Sequence, residues 1–230
     1  MKIYSFTFAR AGSKGIKNKN LRSFNKKPLI YWAIKNSIQS KLINKTFIST
    51  DSRKISKIAK KAGSIVPFIR PKKLATDKSP EWLSWKHALK YLKKNNDIPD
   101  IIISVPCTSP LRKSSDLDQI LKKLIKLKKV DGVVGITQSY RNPYFNMVKM
   151  SKNGKISICM QSKKRYFRRQ DCPAVYDLTT FGFAVRTKFL SKAKSFSNGN
   201  IHGHIVDYRR AIDVDTEIEL KMAEYLRKII

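Results

Sequence analysis

Two aspartates and a glycine loop are the residues of this sequence best placed to do chemistry. Asp213 and Asp215 stand at i and i+2, near what reads as a strand end, so both carboxylates face the same side. Like charges held that way repel unless a cation lies between them. Mg²⁺ held by one or two carboxylates plus substrate phosphates is a common solution. The same pair also suits a lysine-paired surface patch, with Asp215 capping the following helix, and spacing alone leaves both readings open. The loop Arg10-Ala11-Gly12-Ser13-Lys14-Gly15, followed by Lys17, Lys19 and Asn20, pairs glycines with cations. Glycines let the backbone approach a ligand, and successive N–H groups can cradle phosphate. Arg10, Lys14 and Lys19 would neutralise a triphosphate. The loop lacks the Gly-Lys-Ser/Thr ending of a P-loop and the dinucleotide GxGxxG spacing, and a solvated basic loop is its plain alternative.

A third segment, Pro106-Cys107-Thr108-Ser109-Pro110-Leu111-Arg112, follows a strand. Its prolines fix a loop, and Thr108, Ser109 and Arg112 are donors suited to an anion; a turn leading into a helix is the alternative. Arg168-Arg169-Gln170-Asp171 reads as a solvated charged loop. His202 and His204 share a strand face without a third ligand nearby, which disfavours zinc. Trp82 and Trp85 fall at core-facing helical spacing, and no serine or cysteine has a local histidine partner.

The elements that must position these residues alternate. Strands are expected at 3–8, 45–50, 64–68, 100–105 and 130–137, with helices at 28–40, after Asp51 as N-cap, at 81–94, and at 114–128 capped by Ser114 or Ser115. This order predicts an α/β fold with a mostly parallel sheet and helices on both faces. Ligands of such sheets bind beyond the carboxyl ends of the strands, where the three segments lie. Residues 139–176 show no amphipathic helix. Two strand-like pieces, 145–150 and 156–160, flank Asn153-Gly154, a hairpin signal, and read as a protruding β arm. The regular pattern resumes with strands at 179–185 and 205–214 and a helix at 217–228.

With 230 residues and 41% hydrophobic side chains, one domain can hold the whole chain. Net charge is +33, from 49 Lys and Arg against 16 Asp and Glu. Charge alone points to nucleic acid or an anionic membrane. The lysines, however, are spread over presumed outer helix faces, no nucleic-acid motif accompanies them, and no apolar run is long enough to span a bilayer. The opening segment reads as a first strand rather than a signal peptide. Three widely spaced cysteines fit neither a disulfide framework nor zinc, so a cytoplasmic, reducing location is expected.

Taken together, the segments resemble the acylneuraminate cytidylyltransferase (CMP-sialic acid synthetase) family. The resemblance is carried, in order, by Ala9 through Gly15 with Lys19-Asn20-Leu21; Ser49-Thr50-Asp51; Arg70-Pro71 through Leu74-Ala75-Thr76-Asp77; Thr108 through Arg112; Arg169-Gln170 with Pro173; and Ile212-Asp213-Val214-Asp215-Thr216. It implies a Rossmann-like nucleotide-diphospho-sugar transferase fold with an inserted arm, residues 139–176, exchanged across a homodimer. It implies that Arg10, Ser13, Lys14, Lys19 and Asn20 hold the CTP phosphates, with Arg70, Thr76, Asp77 and Thr108 also on the nucleotide. Asp213 and Asp215 would carry Mg²⁺, and Arg10, Lys14, Lys19 and Asp215 would be catalytic. Arg169 would reach a sugar site. Pro106 and Thr179 stand where the family often has Gln and Asn, at the sugar with Thr108, and Phe145 stands where a basic arm residue is expected. The nucleotide half of the pattern is kept and the sugar half has changed. The implied reaction is in-line attack of the anomeric hydroxyl of an acidic 2-keto sugar, sialic-acid-like or Kdo-like, on the α-phosphate of CTP.

Overall fold

The computed structural model describes residues 1–13 and 15–230, so the expectations for Lys14 lie outside the described residues. In chain order the elements are β1 (Ile3–Phe8), β2 (Ser23–Phe24), β3 (Lys27–Pro28), α1 (Leu29–Ile38), β4 (Lys45–Ser49), α2 (Arg53–Lys61), α3 (Glu81–Lys94), β5 (Ile101–Ser104), α4 (Ser114–Lys126), β6 (Gly132–Gln138), β7 (Val148–Met150), β8 (Ile156–Ile158), β9 (Tyr176–Arg186), α5 (Thr187–Lys192), β10 (Ile201–Ile205) and α6 (Glu217–Ile229). Six strands form the main sheet in the order β10-β6-β9-β5-β1-β4. β1 runs parallel to β4 and β5, and β10 parallel to β6. β9 lies antiparallel between β5 and β6.

β1 sits inside the sheet with both faces covered, so it is apolar apart from small hydroxyls. Ser5 Oγ donates to Thr46 Oγ1 at 3.1 Å, and Thr7 Oγ1 donates to the Val105 carbonyl at 2.8 Å. One sheet face packs aliphatic side chains against α1, α2, α4 and α6. The other carries Tyr4, Phe6 and Phe47 against α3 and α5. Trp85 is buried there, its ring 5.7 Å from that of Trp82, which supports their reading as core.

Several sequence expectations change. The strand at 64–68 is reduced to two isolated bridges, Phe47↔Ile65 and Thr50↔Ile69, because Pro67 between them has no N–H for a ladder. Asp51 is not the cap of α2. Ser52 Oγ accepts from Ile55 N at 3.3 Å, and Asp51 accepts from Ala11 N at 2.9 Å. Neither Ser114 nor Ser115 caps α4; the Asp116 carboxylate accepts from Lys113 N at 2.7 Å instead. The strand expected at 205–214 ends at Ile205, where β10 stops. A turn follows in which Asp207 accepts from the backbone and side chain of Arg209, a local bond that competes with a ladder. Asp213 and Asp215 therefore lie on an irregular segment, not on a strand. Asp215 is not the cap of α6, because Thr216 takes that place in a capping box with Glu219.

Within 139–176, β7 and β8 pair antiparallel with Val148 opposite Ile158, joined through Gly154 at φ +84°. Every residue of both strands is exposed. Among the described residues no helix is long and apolar enough to cross a membrane.

Candidate active cleft

Beyond the carboxyl ends of β1 and β5 the surface opens into a cleft of about 550 Å³. The segment after β1 forms one wall. Ala11 N is tied to Asp51, and Asn20 Nδ2 donates to the Arg10 carbonyl at 3.0 Å, closing the loop on itself. Arg10 forms an ion pair with Asp77 across the cleft, and Lys19 forms one with Asp215. At Gly15 a Cβ would sit 2.1 Å from the Asp215 carbonyl oxygen. Only glycine permits that approach, so the glycine loop and the segment carrying the aspartates rest directly on each other. Gly12 has nothing within 4 Å of its Cβ direction, and with Ser13 it lines the cleft, leaving backbone open to a ligand.

The segment after β5 forms the floor. Thr108 Oγ1 donates to Thr180 Oγ1 at 3.0 Å, and Val214 N donates to the Thr108 carbonyl at 2.8 Å, fixing the aspartate segment to the floor. Arg112 is not available to an anion: it is buried and donates to the carbonyls of Pro106, Thr180 and Phe181. Burial lowers its pKa to about 10, which leaves it cationic at neutral pH. It holds the floor in shape. Cys107 lines the cleft, but burial pushes its thiol up to about 12, so it is no nucleophile at neutral pH.

Asp213 and Asp215 both reach the cleft. Burial, with the neighbouring charge of Asp215, raises the Asp213 carboxyl above its ordinary value; the Thr108 and Thr180 hydroxyls and Lys19 pull it back. Asp213 Oδ1 is nevertheless buried with no hydrogen-bond partner. An orphaned carboxylate oxygen beside a second carboxylate fits a hard divalent cation. Among the described residues no group of three or more His, Cys, Asp or Glu could hold a metal. Two protein carboxylates suit Mg²⁺ only with substrate oxygens completing its shell.

The cleft thus gathers Arg10, Ser13, Lys19, Asn20, Arg70, Thr76, Asp77, Pro106, Thr108, Asp213 and Asp215 from the residues singled out in the sequence. Thr179 and Arg169 are not among its lining. Thr179 Oγ1 donates to the Gly135 carbonyl at 2.8 Å; strand alternation turns it away and brings Thr180 to the cleft. Arg169 stays on the exposed 139–176 segment, donating to the Tyr140 carbonyl at 2.8 Å with its guanidinium 5.3 Å from the Tyr140 ring centre. Thr180, Glu81 and Ser84 are lining residues that the sequence reading missed. Two-residue alternation along β9 was the available signal for Thr180.

A family model described as Cytidylyltransferase matches residues 7–222. The chain belongs to the cytidylyltransferase family. This cytidylyltransferase is 34% identical over 225 residues to a Campylobacter coli protein named post-translational flagellin modification protein B, covering 96% of this chain and 92% of that one. It is 30% identical over 219 residues to CMP-N,N'-diacetyllegionaminic acid synthase of Campylobacter jejuni, covering 95% and 92%. It is 28% identical to N-acylneuraminate cytidylyltransferase of Escherichia coli, covering 96% of this chain but 51% of that one. Among solved structures, CMP:2-keto-3-deoxy-manno-octonic acid synthetase complexed with CTP superposes with a TM-score of 0.70 at 16% identity, covering 100% of this chain and 99% of that one. At that identity the likeness concerns the fold.

Proposed function

We propose that this cytidylyltransferase transfers CMP from CTP to the anomeric hydroxyl of an acidic 2-keto sugar of the nonulosonic class, releasing pyrophosphate. The new bond joins the sugar oxygen to the α-phosphorus; the bond to the bridging oxygen of pyrophosphate breaks, and the hydroxyl proton leaves to base. The observation that carries this reading is the contact of Gly15 with the Asp215 backbone, which puts phosphate-cradling backbone, Lys19 and two carboxylates around one point. Transfers of this kind depend mostly on positioning and charge neutralisation.

In this reading Asp213 and Asp215 hold Mg²⁺. When bound, the ion would offset phosphate charge and help the leaving group depart. Arg10 and Lys19 exchange their present carboxylate partners for phosphate oxygens, and Ser13 and Asn20 hold the loop around them. Lys14 is assigned to the same phosphates by its place in the motif. Thr108 steadies the nucleotide against the floor, with Pro106 beside the acceptor. The Campylobacter jejuni relative, named for CMP-N,N'-diacetyllegionaminic acid, favours a nonulosonic acceptor over a Kdo-like one.

Residues 1–230 form one catalytic unit that acts in the cytoplasm, where CTP is made. The 139–176 segment pairs with a second copy, which would carry Arg169 toward a sugar site. The exposed Val148, Met150, Ile156, Phe167 and Leu178 support that pairing. The test is pyrophosphate release from CTP and Mg²⁺ with nine-carbon and eight-carbon sugar acids, beside thermal unfolding with each nucleotide and an oligonucleotide. A ligand at a hundred times its Kd adds about 2.7 kcal/mol to stability. CTP-selective stabilisation and release with a nine-carbon acid are expected. Stabilisation by the oligonucleotide alone, lost steeply with salt, overturns the reading in favour of nucleic-acid binding.

A further inference from the structure

The last helix carries a second apolar face that the fold does not use. Leu220 and Ala223 of α6 are buried in the core, and Leu226 packs beside them. One such stripe is all that a surface helix of a single chain needs. α6 has another on its outer side. Ile218, Met222, Tyr225 and Ile229 are 71%, 50%, 64% and 59% exposed. Their spacing of four, three and four residues puts them on one face. A groove of about 520 Å³ runs along it, lined by Ile218, Lys221, Met222, Tyr225 and Leu226. None of these residues lines the catalytic cleft.

The charges beside this stripe say what covers it. Glu217, Lys221, Glu224 and Lys228 repeat the same spacing one residue earlier, so they form a row along one flank of the apolar face. Their signs alternate from acidic to basic, and the row read backwards is its own complement. A copy of α6 laid antiparallel sets Ile218 opposite Ile229 and Met222 opposite Tyr225. It also sets Glu217 opposite Lys228 and Lys221 opposite Glu224. A parallel copy would bring the row against the other flank, which holds Glu219 and Leu226, and the match is lost. Among the described residues Lys221, Glu224 and Lys228 have no ion-pair partner, and Glu217 has Arg22. The helix carries three acids and three bases, whereas a helix lying on an anionic membrane has a basic polar face.

We propose that α6 pairs antiparallel with α6 of a second copy, a self-association surface distinct from the hairpin segment. Four large side chains cover on the order of 400 Å² per copy, about half of a standard interface. One such contact is therefore weak alone. Copies already joined by the 139–176 segment present two of these stripes, and two contacts made together reinforce each other. The inference rests on the pairing of that segment proposed above, and it gives assemblies larger than two copies.

The experiment measures mass by light scattering against protein concentration for the full chain, Lys221→Glu, Glu224→Lys, the double variant Lys221→Glu/Glu224→Lys, and Tyr225→Asp. Each single reversal sets like charges opposite one another twice across the pair. It is expected to raise the concentration needed to pass two copies by about tenfold or more. The double variant restores opposite charges and is expected to assemble as the wild type does. Tyr225→Asp is expected to stop at two copies. All three positions are exposed, so the melting temperatures should stay within a few degrees of the wild type. A wild type that stops at two copies, or single reversals that assemble like it, overturns the proposal and leaves the hairpin pairing standing. A double variant no better than the single ones overturns the antiparallel charge match. A wild type that stays a single copy removes the hairpin pairing as well. A two-copy wild type that sediments with anionic vesicles, when Tyr225→Asp does not, overturns the proposal in favour of a membrane.

Discussion

The cleft and the hairpin segment are built on opposite plans. In the cleft, segments are locked by close contacts: the packing of Gly15 on the Asp215 backbone, the hydrogen bond from Val214 to Thr108, the ion pair of Arg10 with Asp77, and the bonds of Arg112 to three carbonyls. Between residues 139 and 176 the strands are three residues long and wholly exposed, and large apolar side chains such as Met150 and Ile156 face solvent. One region is held largely by contacts within the chain, with Asp213 Oδ1 left unpaired; the other exposes large apolar side chains. In the function proposed above, the nucleotide end would depend on preorganisation inside one copy, and the acceptor end on a second copy brought to it.

The largest effect that would test this contrast is at the aspartates. Asp215→Asn is expected to lower kcat with CTP on the order of a hundredfold or more while the fold is kept. Steady-state turnover beside a melting curve checks it, and wild-type turnover would remove the metal role. Next comes Gly15→Ala. The added methyl has no space against Asp215, so the loop must shift, with destabilisation of about 1–3 kcal/mol and loss of CTP-induced stabilisation in thermal unfolding. Third, exchanging the facing hairpin residues Val148 and Ile158 for glutamate is expected to abolish self-association in light scattering. The melting temperature of the remaining monomer should move by only a few degrees at most, because no core is touched. A large fall would mean that the hairpin is tied to the core after all. The smallest effect concerns the thiols. At pH 8 an alkylating reagent is expected to modify Cys159 and Cys172, which are partly exposed, well before Cys107. Because the Cys107 pKa is raised in the folded state, its contribution to stability is intact below the unfolded value of about 8.5 and declines as pH rises above it. Urea titrations at pH 8 and pH 10 read that decline.

Much of the cleft was legible in the sequence because its parts are punctuated by residues with few other uses. A glycine-rich turn after an apolar strand, two prolines fixing a second strand end, and paired aspartates each restrict the backbone locally, and the α/β alternation around them follows from apolar period. What was not legible depends on tertiary packing. Arg112 looked like an anion donor but is spent on carbonyls of the floor. Thr179 was named where its neighbour Thr180 faces the cleft, a one-residue error that inverts strand orientation. Glu81 read as the start of a helix, and only the fold brings it beside Arg70. The break of the strand at 64–68 is signalled by Pro67, which has no N–H for a ladder.

The contact between Gly15 and Asp215 also bears on how the protein is made. Two hundred positions separate the residues that meet there, so this contact is among the longest-range closures in the chain, and such closures form late because loop entropy must be overcome first. During synthesis the glycine loop leaves the ribosome long before its counterpart. A nascent chain that has built β1, β4 and β5 still lacks the wall against which its first loop rests, until the segment carrying Asp215 has been translated.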